Sequence, residues 1–190
     1  MSSSFDALQT SKALSEQDRL AILEDCMNQY GDEIKRLVFS YVKNHTDTDD
    51  LTQEVFVTVY QKIDQFKGDS SLKSWIYRIA INKCKDHLRS FKIKQRFIKE
   101  KLTQLWAEDY VPTPEVQSIK QENSDQLLNC VEELPFKYRE MIILYYFEDL
   151  SIEEITNALD MNTNTVKARL RRARDRLKTK LETNGGDLIG

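Results

Sequence analysis

Apolar residues recur at intervals of three and four along most of the chain, which is the spacing of one buried helix face. Leu51, Val55, Phe56, Val59 and Ile63 form one such series. Leu72, Ile76, Ile79, Ala80, Cys84, His87 and Phe91 form a second, and Val166, Leu170, Ala173 and Leu177 a third. Boundaries follow from capping chemistry. Ser15 with Asp18, and Ser151 with Glu154, have the capping-box spacing that opens a helix. The pattern predicts a first helix that bends near Gly31 and continues to about Lys43, then a break at Asn44-His45-Thr46. A second helix is expected over about residues 48–64, a loop around Gly68, and a third helix from about Ser71 past Leu88. Residues 94–122, with Pro112 and Pro114 in a polar context, suggest a linker with frayed helical ends. A fourth helix ends before Pro135, a fifth covers about residues 138–148, and a sixth starts at Ser151. After a break at residues 159–162 a last helix runs to about Leu181. Disordered tails are expected over residues 1–14 and 183–190.

The expected fold class is therefore all-α: two small helical domains, residues 15–94 and 123–182, joined by a flexible linker over residues 95–122. Composition agrees. Among 190 residues there are five Gly and three Pro, too little punctuation for a sandwich or barrel of short strands. No apolar run is long enough to span a bilayer, and the first residues, MSSSFDALQTSK, lack the apolar core of a secretory signal. The expectation is a cytoplasmic protein without membrane insertion. Cys26, Cys84 and Cys130 are odd in number and far apart, which suits reduced, idle thiols. No pair drawn from them and from His45 and His87 has metal-ligand spacing, so neither a metal nor another cofactor is expected.

Charge changes the picture more. The chain's net charge is −3, but residues 78–101 and residues 165–181 each carry a net +7, which leaves −17 on the remainder. Two basic patches on an acidic body can hold polyanions whatever the global sum, because screening makes the attraction local. On the third helix Arg78, Asn82, Lys85, Arg89 and Lys92 form a stripe opposite the apolar face, with Trp75 at its edge. Cations suit phosphates, while an indole and an amide suit unstacked bases. Lys83 falls near the core edge, where a snorkelling stem is the expected accommodation. His87 falls amid the apolar series, the place of a core histidine.

The last two helices have the lengths and the short break of a helix-turn-helix. Val166, Leu170, Ala173 and Leu177 make its buried seam, while Asn164, Lys167, Ala168 and Arg171 point away near the N-terminal end. That suits entry into a major groove, with Arg172, Arg174, Arg176 and Lys178 further along for phosphates. The second helix is acidic outside: Asp50, Gln53, Glu54, Gln61 and Asp64 surround an outward Val57, a surface suited to a basic protein partner.

Residues 47–89, DTDDLTQEVFVTVYQKIDQFKGDSSLKSWIYRIAINKCKDHLR, resemble region two of the extracytoplasmic-function (ECF, group IV) sigma factors of RNA polymerase. Residues 134–178, LPFKYREMIILYYFEDLSIEEITNALDMNTNTVKARLRRARDRLK, resemble their region four. The resemblance implies a non-enzymatic factor that brings core RNA polymerase to promoters. It implies polymerase docking by Asp50, Gln53, Glu54, Val57 and Gln61. It implies single-stranded minus-ten contacts by Lys67, Ser70, Lys73, Trp75, Arg78, Asn82, Lys85 and Arg89. It implies duplex minus-thirty-five contacts by Thr163, Asn164, Thr165, Lys167, Ala168, Arg171, Arg172, Arg174 and Lys178. An anti-sigma partner, holding the protein inactive and in some relatives at the membrane, is implied as well. The chain departs from the family at Asn44-His45-Thr46, where a Gly-containing turn is frequent, and at Asn162 before the last helix. The competing expectation is a helix-turn-helix regulator whose first 100 residues dimerise or sense a signal. A protein-only helical adaptor would leave both basic patches without a purpose.

Overall fold

The computed structural model describes the backbone of residues 14–105 and 124–185, and the side chains of residues 14–91 and 127–183. The expected terminal tails beyond those limits, and residues 106–123 of the expected linker, lie outside the described residues. The described elements are α1 (Glu16–Val42), α2 (His45–Lys62) with a 3-10 turn at Ile63–Gln65, α3 (Leu72–Leu105), α4 (Ser124–Glu132), α5 (Phe136–Ile142) with a π-helical turn at Ile143–Phe147, α6 (Ile152–Leu159) and α7 (Thr163–Gly185). No strand occurs among the described residues.

Both capping boxes form. The Asp18 amide donates to Ser15 Oγ at 3.2 Å while the Ser15 amide donates to Asp18 Oδ2 at 2.9 Å, and Ser151 with Glu154 repeats both distances. Each satisfies two helix-end amides that would otherwise lack partners. α1 continues as one helix through Gly31 and stops at Lys43, whose φ of 56° takes the left-handed region. Asn44 then caps α2, its Oδ1 accepting from the Asp47 amide at 2.9 Å, so α2 begins three residues earlier than the apolar series indicates. Gly68, with φ 74°, supplies the left-handed turn in the α2–α3 loop. The Ser71 hydroxyl accepts the Ser74 amide at 3.1 Å and starts α3. α3 is 34 residues long, about 51 Å at 1.5 Å per residue, and runs well into the segment assigned to the linker.

The first unit buries Ile22, Cys26, Ile34, Leu37 and Val38 of α1 against Leu51, Val55 and Val59 of α2 and Ile76, Ala80 and Cys84 of α3. The second buries Val131, Met141, Leu144, Ile155, Val166, Leu170 and Ala173. Burying each large aliphatic side chain contributes about 1.5–3 kcal/mol. The two cores are continuous, because α3 packs directly on α6. The buried face of α3 is wider than the expected apolar series: Tyr77, whose hydroxyl reaches Glu148 of the second unit, and Ile81 are both fully buried. The ends of the series behave differently. Phe91 is exposed, and His87 is half-buried at the surface with Nε2 3.4 Å from Asp47 Oδ2, so it is not a core histidine. Lys83 is held outward by Glu54, Nζ to Oε2 at 3.0 Å, which accounts for its position at the core edge.

In the π-helical turn the Glu148 amide donates to the Ile143 carbonyl at 3.0 Å. The extra residue in that turn leaves Ile143 and Leu144 buried while Tyr146 and Phe147 face outward.

Candidate nucleic-acid interface

α6 and α7 form the helix-turn-helix. The turn is set by Asp160, whose φ of 53° ends α6, and by Asn162. The Asn162 carbonyl accepts the amides of Thr165 at 2.9 Å and Val166 at 3.1 Å, and its Oδ1 accepts the Asn164 amide at 2.8 Å. Asparagine is among the strongest helix starters for this reason. The helix thus begins at Thr163, where the sequence alone left its start open. Val166, Leu170 and Ala173 are buried, and Leu177 is partly so. Thr163, Asn164, Thr165, Lys167, Ala168, Arg171 and Arg172 are all exposed, and Arg172 also hydrogen-bonds Tyr138. The small Ala168 lies between the longer donors, so the face can approach base edges closely.

Beyond that face the cations acquire partners. Arg174 Nε donates to the Tyr146 hydroxyl at 2.9 Å, and its guanidinium lies over the Tyr145 ring at 5.2 Å. The Arg176 guanidinium lies 5.0 Å over Tyr138. Burial alone would raise the Tyr138 hydroxyl pKa, but Lys137, Arg176 and Arg172 bring it below the ordinary value. Lys178 remains exposed beside Glu182, 3.7 Å away. Arg174 also borders an open apolar groove of about 880 Å3 lined by Leu127, Val131, Tyr146, Phe147 and Leu177.

On α3 the expected single-strand residues divide into two groups. Lys67, Asn82 and Arg89 are exposed, and Ser70 is half-buried in the loop. Trp75 is half-buried with its indole 5.5 Å from the Phe66 ring, which fixes the orientation of its π face. Arg78 and Lys85 are engaged by the second unit, and Lys73 by both units. Arg78 Nη2 lies 2.8 Å from Asp160 Oδ2. Lys85 Nζ lies 2.9 Å from Glu140 Oε1, a carboxylate that is nearly fully buried and also accepts from the Tyr41 hydroxyl at 2.7 Å. Lys73 Nζ lies 3.2 Å from Glu33 Oε2 and 3.5 Å from the Glu148 carbonyl oxygen.

Beside Lys73 the Tyr77 hydroxyl lies 3.0 Å from Glu33 Oε2 and 2.9 Å from Glu148 Oε2. One phenolic proton faces two carboxylates. Burial, with the charges of Glu148 and Glu33, drives the Tyr77 pKa up steeply. Burial also pushes the Glu148 carboxyl above the usual range, against the pull of the Tyr77 hydrogen bond and of Arg36 and Lys73. Tyr41, Tyr77, Glu140 and Glu148 were not among the candidate residues of the sequence. The available signal was a pair of glutamates, Glu140 and Glu148, flanking the apolar run MIILYYF.

The outer face of α2 is open. Asp50, Gln53, Glu54, Val57 and Gln61 are exposed, with Glu54 taken up by Lys83. Gln53 and Val57 border a groove of about 550 Å3 between α1 and α2, which Met27, Phe56 and Tyr60 also line. Cys26, Cys84 and Cys130 are separately buried, and burial pushes the thiols of Cys26 and Cys84 up to about 12. Among the described residues no helix is long and apolar enough to cross a membrane.

Two family models match the chain in order: sigma-70 region 2 over residues 26–92 and sigma-70 region 4 over residues 124–177. The chain is 34% identical to the RNA polymerase sigma factor SigV of Bacillus subtilis, over 83% of this chain and 89% of that protein. It is 32% identical to the ECF RNA polymerase sigma factor SigW of the same organism, over 87% and 90%. It is 30% identical to the ECF RNA polymerase sigma-E factor of Escherichia coli K12, over 81% and 83%. In fold it is similar to the sigma factor RpoE of Bartonella quintana, solved with the anti-sigma factor NepR, at a TM-score of 0.64 and 22% identity over 84% of this chain and 96% of that one. It is likewise similar to CnrH, solved with the cytosolic domain of CnrY, at 0.62 and 20% over 95% of each. A region-two unit followed by a region-four helix-turn-helix, with relatives of this identity along most of their length, makes the chain a member of the ECF RNA polymerase sigma factors.

Proposed function

We propose that the chain, as a group IV sigma factor, divides promoter recognition between its two basic helices and docks on polymerase through α2. The exposed N-terminal face of α7 reads the minus-thirty-five element as duplex, since only the major groove presents the full donor and acceptor code. α3 and the loop before it take the minus-ten element as single strand. Trp75 supplies a stacking face, Asn82 an amide that donates and accepts, and the stripe's cations hold the flanking phosphates. The acidic outer face of α2, with Val57 at its centre, meets a basic surface of the largest polymerase subunit. Catalysis belongs to the polymerase. An anti-sigma factor restrains the protein, in line with a neighbour in fold solved with an anti-sigma factor. At work it is a cytoplasmic protein at the nucleoid, drawn to the membrane only through such a partner.

One observation carries the reading: a helix-turn-helix with an exposed polar N-terminal face follows, in one chain, a helix that aligns an indole and an amide with cations. A regulator with a sensing first domain has no use for the second feature. Bases are read singly only after unstacking, which costs a few kcal/mol per flipped base. Asn82→Ala should therefore leave core binding unchanged and reduce permanganate reactivity of promoter thymines. Run-off transcription with core polymerase should fall on duplex template and recover on a pre-melted one. No defect on either template removes α3 from the single strand.

A further inference from the structure

We propose that the free protein closes on itself, with region four covering the cation row that region two needs for single-stranded DNA. This rests on the assignment of α3 to the minus-ten element. Three of the cations assigned there, Lys73, Arg78 and Lys85, lie along α3. Arg78 and Lys85 pair with the Asp160 and Glu140 carboxylates of region four, while Lys73, paired with Glu33 of region two at 3.2 Å, also reaches the Glu148 carbonyl oxygen of region four at 3.5 Å. The acceptors come from three places in region four, namely α5, the turn after the π-helical segment and the end of α6, so the match is between surfaces. Tyr77, between the first two cations, is fully buried with its hydroxyl against Glu148. Phosphate oxygens in a DNA complex require the same donors that these oxygens occupy. Region four stands where the strand would lie, in the role of a DNA mimic. The covering is one-sided: the α7 face keeps Asn164, Lys167 and Arg171 in solvent. The closed protein can meet duplex through α7, and single strand is admitted only after α3 and α6 separate. Binding to polymerase then has a second task, to hold the two regions apart.

A lysine–carboxylate pair at the rim of this contact makes the closure measurable. Lys43 Nζ lies 2.6 Å from Glu132 Oε1, one in each region and both partly exposed. A carbodiimide joins such a pair directly as an amide, with loss of water. The full-length protein should yield the Lys43–Glu132 crosslinked peptide by mass spectrometry when free and lose it when bound to core polymerase. The crosslinked protein should bind a short single-stranded DNA of randomised sequence about tenfold more weakly than Glu132→Gln protein treated alike. That factor is a lower bound, since the strand reaches the covered donors only in the open, binding-competent fraction, which the bond removes. The Glu132→Gln protein carries the same incidental modifications without the locking bond. Absence of the crosslink in the free protein, or equal DNA affinity of locked and control proteins, overturns the closure. Run-off transcription by untreated protein tests the underlying assignment separately. An active protein without the crosslink defeats closure alone, whereas a crosslinking protein inactive with polymerase defeats the sigma reading alone.

Discussion

α3 and α7 carry equal excess charge, +7 in each basic stretch, yet the structure uses them differently. On α7 the donors of the first turns are solvated, and the later arginines stack on tyrosines of their own unit. On α3 two cations pair with carboxylates of the other unit and Lys73 lies between Glu33 of its own unit and the Glu148 carbonyl of the other, which leaves Asn82 and Arg89, and Lys67 in the preceding loop, in solvent. The difference teaches that a count of cations gives the capacity for polyanions, while tertiary partners decide how much of it is free. Exposed ion pairs are each worth about 0–1 kcal/mol, so the covering of α3 depends on its buried members.

The largest expected effect breaks the comparison at such a member. Glu140→Ala removes the partner of Lys85 and leaves the buried Tyr41 hydroxyl without its acceptor. A buried donor left unsatisfied costs about 1–3 kcal/mol. Urea unfolding should show that loss, and single-stranded DNA binding by the free protein should rise. A normal midpoint would mean that Tyr41 finds another partner. The second test acts on the open helix. Arg171→Ala should relax sequence preference upstream by about 1–3 kcal/mol if its contact is bidentate. Lys178→Ala should instead weaken all sequences evenly and reduce the salt slope by about one. If the two substitutions behave alike in preference and slope, α7 has no division between base readers and phosphate clamps. The smallest effect sharpens the comparison. Asp160→Asn keeps a residue that tolerates the left-handed backbone and removes only the Arg78 partner. Stability should change by less than about 1 kcal/mol, and single-strand affinity should rise with duplex affinity unchanged. A parallel change in both affinities would show that Arg78 and α7 act through one surface.

Helix number, capping boxes and the helix-turn-helix seam were legible because they rest on local rules of three- and four-residue spacing. Val166, Leu170 and Ala173 satisfy one periodicity and nothing contradicts it. The start of α2 was misjudged by three residues because Asn44, a capping residue, looks like a breaker when only apolar positions are counted. Tyr77 was missed for a different reason. Its burial belongs to a contact between distant segments, and no periodicity within α3 records it. The same holds for His87 and Phe91, which share the apolar phase of α3 but extend past the helices that would cover them. Phase predicts direction, and burial needs a neighbour.

α3 ends at Leu105 and α4 begins at Ser124, so residues 106–123 are the only covalent connection between the two regions. Their association is consequently a first-order process. A bimolecular complex would dissociate on dilution, whereas the closed fraction of this chain is the same at any protein concentration. Ionic strength remains an effective variable, because added salt screens the exposed pairs without altering the tether. In cells, where the copy number of a regulatory protein rises and falls, such a resting state does not depend on how many molecules are present.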